Sequence, residues 1–375
     1  MSNGASRARK ERLFTLRRQV ARQIIESDLD DTIDVTPLGL RTGLRAAEKK
    51  RLLPVVDWPD RDLKPVLSKL DPAPGPDQPL PEADWLVITW TVDEHKALKE
   101  VFAPSLPTER WHLYRHNFAR YAPDLKSTGP AARAGRIGSY CMVEVAGKRV
   151  LCLKSEFHLN QDGPKLPLRP LTRQLIEETG AKNILSIGTA GGVGMDDELG
   201  DVMVSQSALF KCGDEFEDAD FNGKKYVSNW NMDKRLFKDA TKLMIPLQEP
   251  PYAPPTKRVP FDGRPVTLPP NKPHIAHFTD HPIITTDFFE FGTSANRLDK
   301  IGCAVEMDDA VIAMVCQELG PHLRYAFVRN VSDPVINADL DERTQVMWAA
   351  AYYERFGRQT SYNGALATWA IIAAN

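Results

Sequence analysis

Short apolar runs alternate with stretches of helical periodicity along most of the chain, and this alternation restricts its fold more than any other feature. Runs rich in β-branched and aromatic side chains predict buried strands at residues 85–90, 183–187, 201–209 and 325–331. Helical periodicity predicts helices at residues 92–102, 166–179, 304–319 and most of 341–374. A hairpin is predicted to join residues 140–145 and 149–153. This order predicts an α/β sheet covered on both faces, with its active site at the carboxyl ends of strands.

Proline divides the chain into parts. Five prolines fall within residues 72–81 and ten more within 246–273, out of 29 in 375 residues. Because proline donates no backbone hydrogen bond and prefers extended conformations, the first group predicts a linker and the second a surface insertion. We therefore predict a helical, basic N-terminal extension (1–70), a proline-rich linker (71–83) and a domain (84–375) with an insertion at about 213–280.

The extension begins with a basic amphipathic helix over residues 5–27. Leu13, Leu16, Val20 and Ile24 share one face, and arginines occupy much of the remainder. Such a helix docks its apolar stripe on the main body or on a neighbouring subunit, or else contacts nucleic acid, a membrane surface or a protein partner.

Composition excludes several classes of protein. The mixture of 42% hydrophobic and 26% charged residues is typical of globular chains, and a net charge of -2 provides no overall attraction to nucleic acid or anionic membranes. No run approaches the ~18–20 apolar residues of a membrane span, so we expect no membrane partner and a cytoplasmic location. The five cysteines form no CxxC pair, which favours reduced, buried thiols over a disulfide frame or a zinc site.

Three motifs carry candidate chemistry. Residues 188–192 (GTAGG) follow a predicted strand, where glycine backbone and the hydroxyl of Thr189 can hold an anion, a water or a sugar hydroxyl; a plain tight turn is the alternative. Residues 304–310 (AVEMDDA) place three carboxylates in the first turn of a predicted helix, where the helix dipole also favours them. Residues 329–333 (RNVSD) end a strand in a carboxylate, before a proline that also suits a simple turn.

Taken in this order and spacing, the three motifs resemble those of the purine nucleoside phosphorylase and 5'-methylthioadenosine/S-adenosylhomocysteine nucleosidase superfamily. The resemblance extends from about residue 84 to 375, apart from the proline-rich insertion. It implies a three-layer αβα fold with a central mixed sheet, a purine nucleoside or nucleotide as substrate, no cofactor, no metal, and assembly as a homo-oligomer.

The resemblance also implies roles for individual residues. Asp333 matches the aspartate that protonates the purine base, and Ser332 orients it. Asp308 matches a glutamate that binds the ribose hydroxyls. Met307 lines the sugar and base, and Phe289 stacks on the purine. A carboxylic acid near the base suits the cleavage of an N-glycosidic bond, since the leaving purine anion needs a proton.

Glu94 distinguishes hydrolysis from phosphorolysis. Residues 88–98 (ITWTVDEHKAL) place Glu94 on the glutamate that orients the attacking water in the nucleosidases, and the expected glycine turn contributes Thr189 and Gly191 to the site. Phosphorylases often carry an arginine two residues before the glycine turn, where this chain has Ser186. Both observations favour a nucleosidase. A phosphorylase that uses Arg169, Arg173 and Arg329, or a nucleoside-binding protein without turnover, are the alternatives.

Two positions depart from the family pattern. Asp308 is one methylene shorter than the usual glutamate, and Asp309 replaces a small residue. These changes leave the sugar specificity open. His112 and His116 are spaced four residues apart, but their surroundings are not HExxH and we expect no metal site there.

Overall fold

The computed structural model describes residues 2–26, 53–247 and 270–375. Within these ranges thirteen strands form a single sheet. The strands are β1 (Val66–Leu67), β2 (Trp85–Thr89), β3 (His112–Tyr114), β4 (Gly138–Val145), β5 (Lys148–Ser155), β6 (Asn183–Gly192), β7 (Val202–Ser205), β8 (Ser207–Phe210), β9 (Lys225–Val227), β10 (Ile275–Phe278), β11 (Ile283–Thr285), β12 (Ala304–Glu306) and β13 (Arg324–Asp333).

The sheet is mixed. Its main path runs β1-β4-β5-β2-β6-β12-β11-β8-β9, while β13 joins β6 to β7, β10 pairs with β7, and β3 pairs with β4. At its centre β2 and β13 both pair with β6 in parallel, so the carboxyl ends of these three strands meet at one edge.

Helices cover both faces of this sheet. They are α1 (Ser2–Glu26), α2 (Val92–Phe102), α3 (Phe118–Tyr121), α4 (Pro130–Ala134), α5 (Leu159–Asp162), α6 (Leu168–Thr179), α7 (Phe237–Leu243), α8 (Asp309–Leu319) and α9 (Glu342–Ala374). None of these helices is long and apolar enough to cross a membrane.

The alternation of side chains along β2 shows how the layers form. Leu86 and Ile88 belong to the apolar core beneath α6 and α8, whereas Trp85 and Val87 belong to the opposite core, beneath α2 and α9. Because successive side chains of a strand point to opposite faces, one continuous apolar run serves both cores. The predicted three-layer αβα architecture is confirmed, as is the N-terminal helix.

The structure corrects two local predictions. Residues 188–192 are not a turn but the last part of β6, because Gly188 pairs with Arg329 of β13 and both Gly191 and Gly192 pair with β12. Residues 304–306 form β12 rather than the start of a helix, and α8 begins at Asp309. In both cases the partner strand lies far away in sequence, so local periodicity did not reveal it.

Parts of the predicted extension and insertion belong to the sheet. Strand β1, within the predicted extension, pairs with β4. The predicted insertion contributes β9 and β10, which pair with β8 and β7. Residues 27–52 of the extension and 248–269 of the proline-rich run lie outside the described residues.

Candidate active site

One pocket lies where the carboxyl ends of β2, β6 and β13 meet. The eight residues predicted for a nucleosidase site all line it, namely Glu94, Thr189, Gly191, Phe289, Met307, Asp308, Ser332 and Asp333. The cavity volume is only about 50 Å³. Small-molecule sites commonly measure roughly 300–1,000 Å³, so the pocket is narrow.

Asp333, the last residue of β13, is buried with 3% of its surface exposed. Its Oδ1 accepts a hydrogen bond of 2.8 Å from the Ser332 hydroxyl, whereas its Oδ2 has no partner among the described residues. Burial raises the pKa of Asp333 to about 7, and the hydrogen bond from Ser332 opposes this rise. Gly191 lies against the same carboxyl, since a Cβ on Gly191 would approach Oδ2 to 3.1 Å. Asp333 is therefore a carboxyl group that exchanges a proton near neutral pH.

Glu94 lies in the first turn of α2, on the other side of the glycine-rich end of β6. Its Oε2 accepts hydrogen bonds from the Thr91 and Trp90 amides at 2.9 and 3.0 Å, and this forms a capping box with Thr91. Its Oε1 accepts both the amide and the hydroxyl of Thr189 at 2.8 Å. The carboxylate thus links the β2–α2 junction to β6. A further donor, such as a water molecule, would share Oε1 with the amide and hydroxyl of Thr189.

Gly188 separates Glu94 from Arg329. A Cβ at this position would lie 2.5 Å from Arg329 Nη1 and 2.8 Å from Glu94 Oε1. Because such contacts are too close for any side chain, the close approach of the two groups requires glycine.

Arg329 is fully buried and held by acidic groups. Its guanidinium pairs with Asp309 through Nε at 2.8 Å and through Nη2, and Nη2 also lies 3.0 Å from Glu306. Burial lowers the pKa of Arg329, but the charges of Asp309 and Glu306 raise it above its ordinary value overall. The unusual Asp309 therefore anchors Arg329. Arg169 and Arg173, by contrast, both pair with Glu318 and do not line the pocket.

Asp308 immediately precedes α8, makes no side-chain hydrogen bond to that helix, and is buried against the β5–α5 junction. Its Oδ1 accepts the Leu159 amide at 2.9 Å, and its Oδ2 lies 3.3 Å from His158 Nδ1. His158 also lines the pocket, is 1% exposed, and has no described partner for Nε2. Sequence reasoning missed His158. Its one signal was its position shortly after the carboxyl end of a strand.

An apolar wall closes the pocket, and part of it comes from α1. Ile24 and Ile25 line the pocket together with Phe289 and Met307. The predicted apolar stripe of α1 is partly buried here, since Val20 and Ile24 pack in one cluster with Phe289. The sequence predicted the docking of this helix as one alternative, but not its place at the site.

Two arginines of α1 form ion pairs with acidic residues outside this helix. Arg17 binds Glu290 Oε1 at 3.0 Å, with its guanidinium 5.3 Å from the ring centres of Phe288 and Phe291. Arg18 makes a two-pronged ion pair with Asp214, one arm of which measures 2.6 Å. These contacts connect α1 to the segments that carry Glu290 and Asp214.

The described residues contain no cluster of histidine, cysteine, aspartate or glutamate that could hold a metal ion. His112 lies in β3 and His116 follows that strand, so the pair does not share a helix. Carboxyl, hydroxyl and imidazole groups line the pocket, together with the guanidinium of Arg329.

A model of the Phosphorylase superfamily matches residues 113–356, and the chain belongs to this superfamily. The match includes the glycine-rich end of β6, the Met307-Asp308 segment and Ser332-Asp333, while Glu94 and α1 lie outside it. No curated protein sequence matches the chain.

Similar solved structures include two enzymes. The 5'-methylthioadenosine/S-adenosylhomocysteine nucleosidase of Neisseria meningitidis, in complex with methylthio-immucillin-A, is 18% identical with a TM-score of 0.43, and the match covers 78% of this chain and 99% of that one. The futalosine hydrolase of Helicobacter pylori is 15% identical with a TM-score of 0.43, and the match covers 77% of this chain and 96% of that one.

Proposed function

We propose that the protein is a nucleosidase that hydrolyses the N-glycosidic bond of a purine, adenine-type, nucleoside or nucleotide. The observation that carries this proposal is Asp333, whose buried carboxyl has a pKa of about 7 and one oxygen that has no partner among the described residues. A general acid works best when its pKa lies near the working pH. In its protonated form Asp333 donates to the departing purine, which would otherwise leave as an anion.

The sugar becomes positively charged as the bond breaks. Transition states of glycoside hydrolysis have oxocarbenium character and gain stability from nearby negative charge and from hydrogen bonds to ring hydroxyls. Glu94 and Thr189 lie together on the pocket wall, where Glu94 Oε1 would accept a hydrogen bond from the attacking water. Phe289 and Met307 provide apolar surface for the flat base.

Water is favoured over phosphate as the nucleophile. Phosphate is commonly bound by arginine or lysine side chains that are free to contact its oxygens. Arg329 is the one arginine or lysine among the described residues that line the pocket. Its guanidinium is paired with Asp309 and Glu306. A phosphate ion would therefore have to compete with two buried carboxylates.

The first test is base release from adenosine, inosine, methylthioadenosine, S-adenosylhomocysteine, AMP and dAMP, each with and without phosphate. We expect free base and free sugar without phosphate. Release that requires phosphate and yields ribose 1-phosphate would instead identify a phosphorylase. Ligand-dependent thermal stabilisation without release of base from any compound would identify a binding protein.

The second test is the substitution Asp333→Asn, which keeps the shape of the side chain but removes the acid. We expect the rate of base release to fall by ~10²–10⁴-fold, the usual contribution of a general acid. Asp201→Asn is the matched control, because Asp201 is also buried but does not line the pocket. Near-normal turnover by the Asp333 variant would remove this residue from the mechanism.

A further inference from the structure

His158 is a buried side chain whose two ring nitrogens differ in their surroundings. Nδ1 faces Asp308 Oδ2 at 3.3 Å, and Nε2 has no partner among the described residues. The residue lines the same pocket as Asp333 and Glu94. An unpaired polar atom at such a buried position is costly unless a ligand satisfies it.

The contact with Asp308 decides what Nε2 can do. A carboxylate accepts hydrogen bonds, so Nδ1 carries a proton and donates it to Asp308. In the neutral imidazole, Nε2 then has a lone pair and accepts a hydrogen bond. The group that fits His158 in the pocket is therefore a donor, such as a hydroxyl of the substrate.

Asp308 itself is poorly placed to contact a sugar directly. Leu159 donates its amide to Oδ1 at 2.9 Å, His158 engages Oδ2, and only 4% of the residue is exposed. Its side chain is also one methylene shorter than that of glutamate. The imidazole of His158 extends the reach of this carboxylate into the pocket.

We propose that His158 binds a ribose hydroxyl of the substrate through Nε2, and that Asp308 is a positioning residue that orients the imidazole. This inference rests on the proposed function, since it assigns the sugar contact within the same site. The carboxylate behind the ring makes Nε2 a stronger acceptor. The hydrogen bond to the hydroxyl would accordingly strengthen as positive charge develops on the sugar. His158 thereby selects ribonucleosides over their deoxy analogues.

The decisive variant is His158→Asn. The asparagine amide can take the place of Nδ1 beside Asp308, but it has no atom at the position of Nε2. The kcat/KM values for adenosine, 2'-deoxyadenosine and 3'-deoxyadenosine would be measured for the wild type and the variant. We expect kcat/KM for adenosine to fall about tenfold or more, because a hydrogen bond to a buried acceptor is lost. The deoxynucleoside that lacks the bound hydroxyl should be nearly unaffected by the substitution.

Two further variants separate this role from a structural one. Gln places a side-chain oxygen near the position of Nε2, so His158→Gln should restore part of the preference for adenosine. Asp308→Asn keeps the size of the positioning residue and should weaken the same preference to a smaller extent. An equal loss with all three nucleosides, or no loss with any of them, would overturn the proposal.

Binding is measured in parallel, so that failure of the proposed function can be recognised by itself. If the wild type releases no base, thermal stabilisation by the same three nucleosides still reports their affinities. We then expect stronger stabilisation by adenosine than by one deoxynucleoside, and the loss of this difference in His158→Asn. Equal stabilisation of the wild type by all three, or by none, would contradict the role of His158.

Discussion

Asp333 and its hydrogen bond from Ser332 predict how the activity depends on pH. Burial raises the pKa of Asp333 to about 7, and Ser332 stabilises its ionised form through a hydrogen bond of 2.8 Å. The acid form is the active one, so we expect kcat/KM to decline as the pH rises through about 7. Ser332→Ala removes the hydrogen bond that lowers the pKa of Asp333, and the decline in kcat/KM should therefore move to higher pH.

Ser294→Ala, outside the pocket, is the control. A decline that stays in place or moves to lower pH in Ser332→Ala would show that Asp333 is not the titrating acid.

Helix α1 contributes part of the pocket's apolar lining. Ile24 and Ile25 line a cavity of about 50 Å³, and Arg18 of the same helix pairs with Asp214 outside the cavity lining. Since this cavity is small for a nucleoside, we expect α1 to move when substrate enters. Arg18→Asp should weaken the attachment, speed hydrogen exchange in α1 and raise kcat/KM about two- to fivefold, the effect of an exposed ion pair worth ~0.5–1 kcal/mol.

The charge-exchanged double variant is the matched control for this prediction. Adding Asp214→Arg to Arg18→Asp restores an ion pair with the two charges reversed, and should return both measurements toward those of the wild type. If Arg18→Asp instead lowered kcat/KM for every substrate, the prediction would be wrong. Helix α1 would then already contact the substrate in the position that the structure shows.

For the whole molecule, residues 53–83 connect the N-terminal region to the main sheet. The rings of Trp58 and Trp369 are 4.7 Å apart, Trp369 Nε1 donates to the Leu63 carbonyl at 2.7 Å, and β1 pairs with β4. A chain that begins at Asp84 loses all these contacts. We expect its free energy of unfolding to fall by roughly 3–5 kcal/mol, because the partly buried Trp58 and the buried Leu80 are both removed.

Urea denaturation of two truncated chains checks this expectation. A chain that lacks only residues 1–26 keeps the contacts of Trp58 and β1, so its unfolding midpoint should stay closer to that of the full chain. Equal midpoints for the two truncated chains would mean that residues 53–83 add little stability, and would favour a detachable linker at residues 71–83. The boundary between the extension and the domain remains a prediction until then.

Periodicity along the chain was enough to predict the fold class, and the motifs were enough to propose where the candidate site lies. Buried strands and amphipathic helices have periods that can be recognised locally, and motifs that follow strands converge at one edge of the sheet. The family resemblance of these motifs implies that Asp333, Glu94 and Thr189 belong to one site. The carboxyl ends of β2, β6 and β13 do bring them into one pocket.

Contacts between distant parts of the chain complete the pocket. The partners His158 and Asp308 are 150 residues apart, and Arg18 and Asp214 are 196 apart. Local periodicity describes which face of an element is buried, but it does not specify which distant side chain lies against it. Such contacts account for three features of the site. They are the pairing of Asp308 with His158, the contribution of α1 to the pocket lining, and the strand conformation of the glycine-rich segment. Each of them joins segments that are far apart in the sequence.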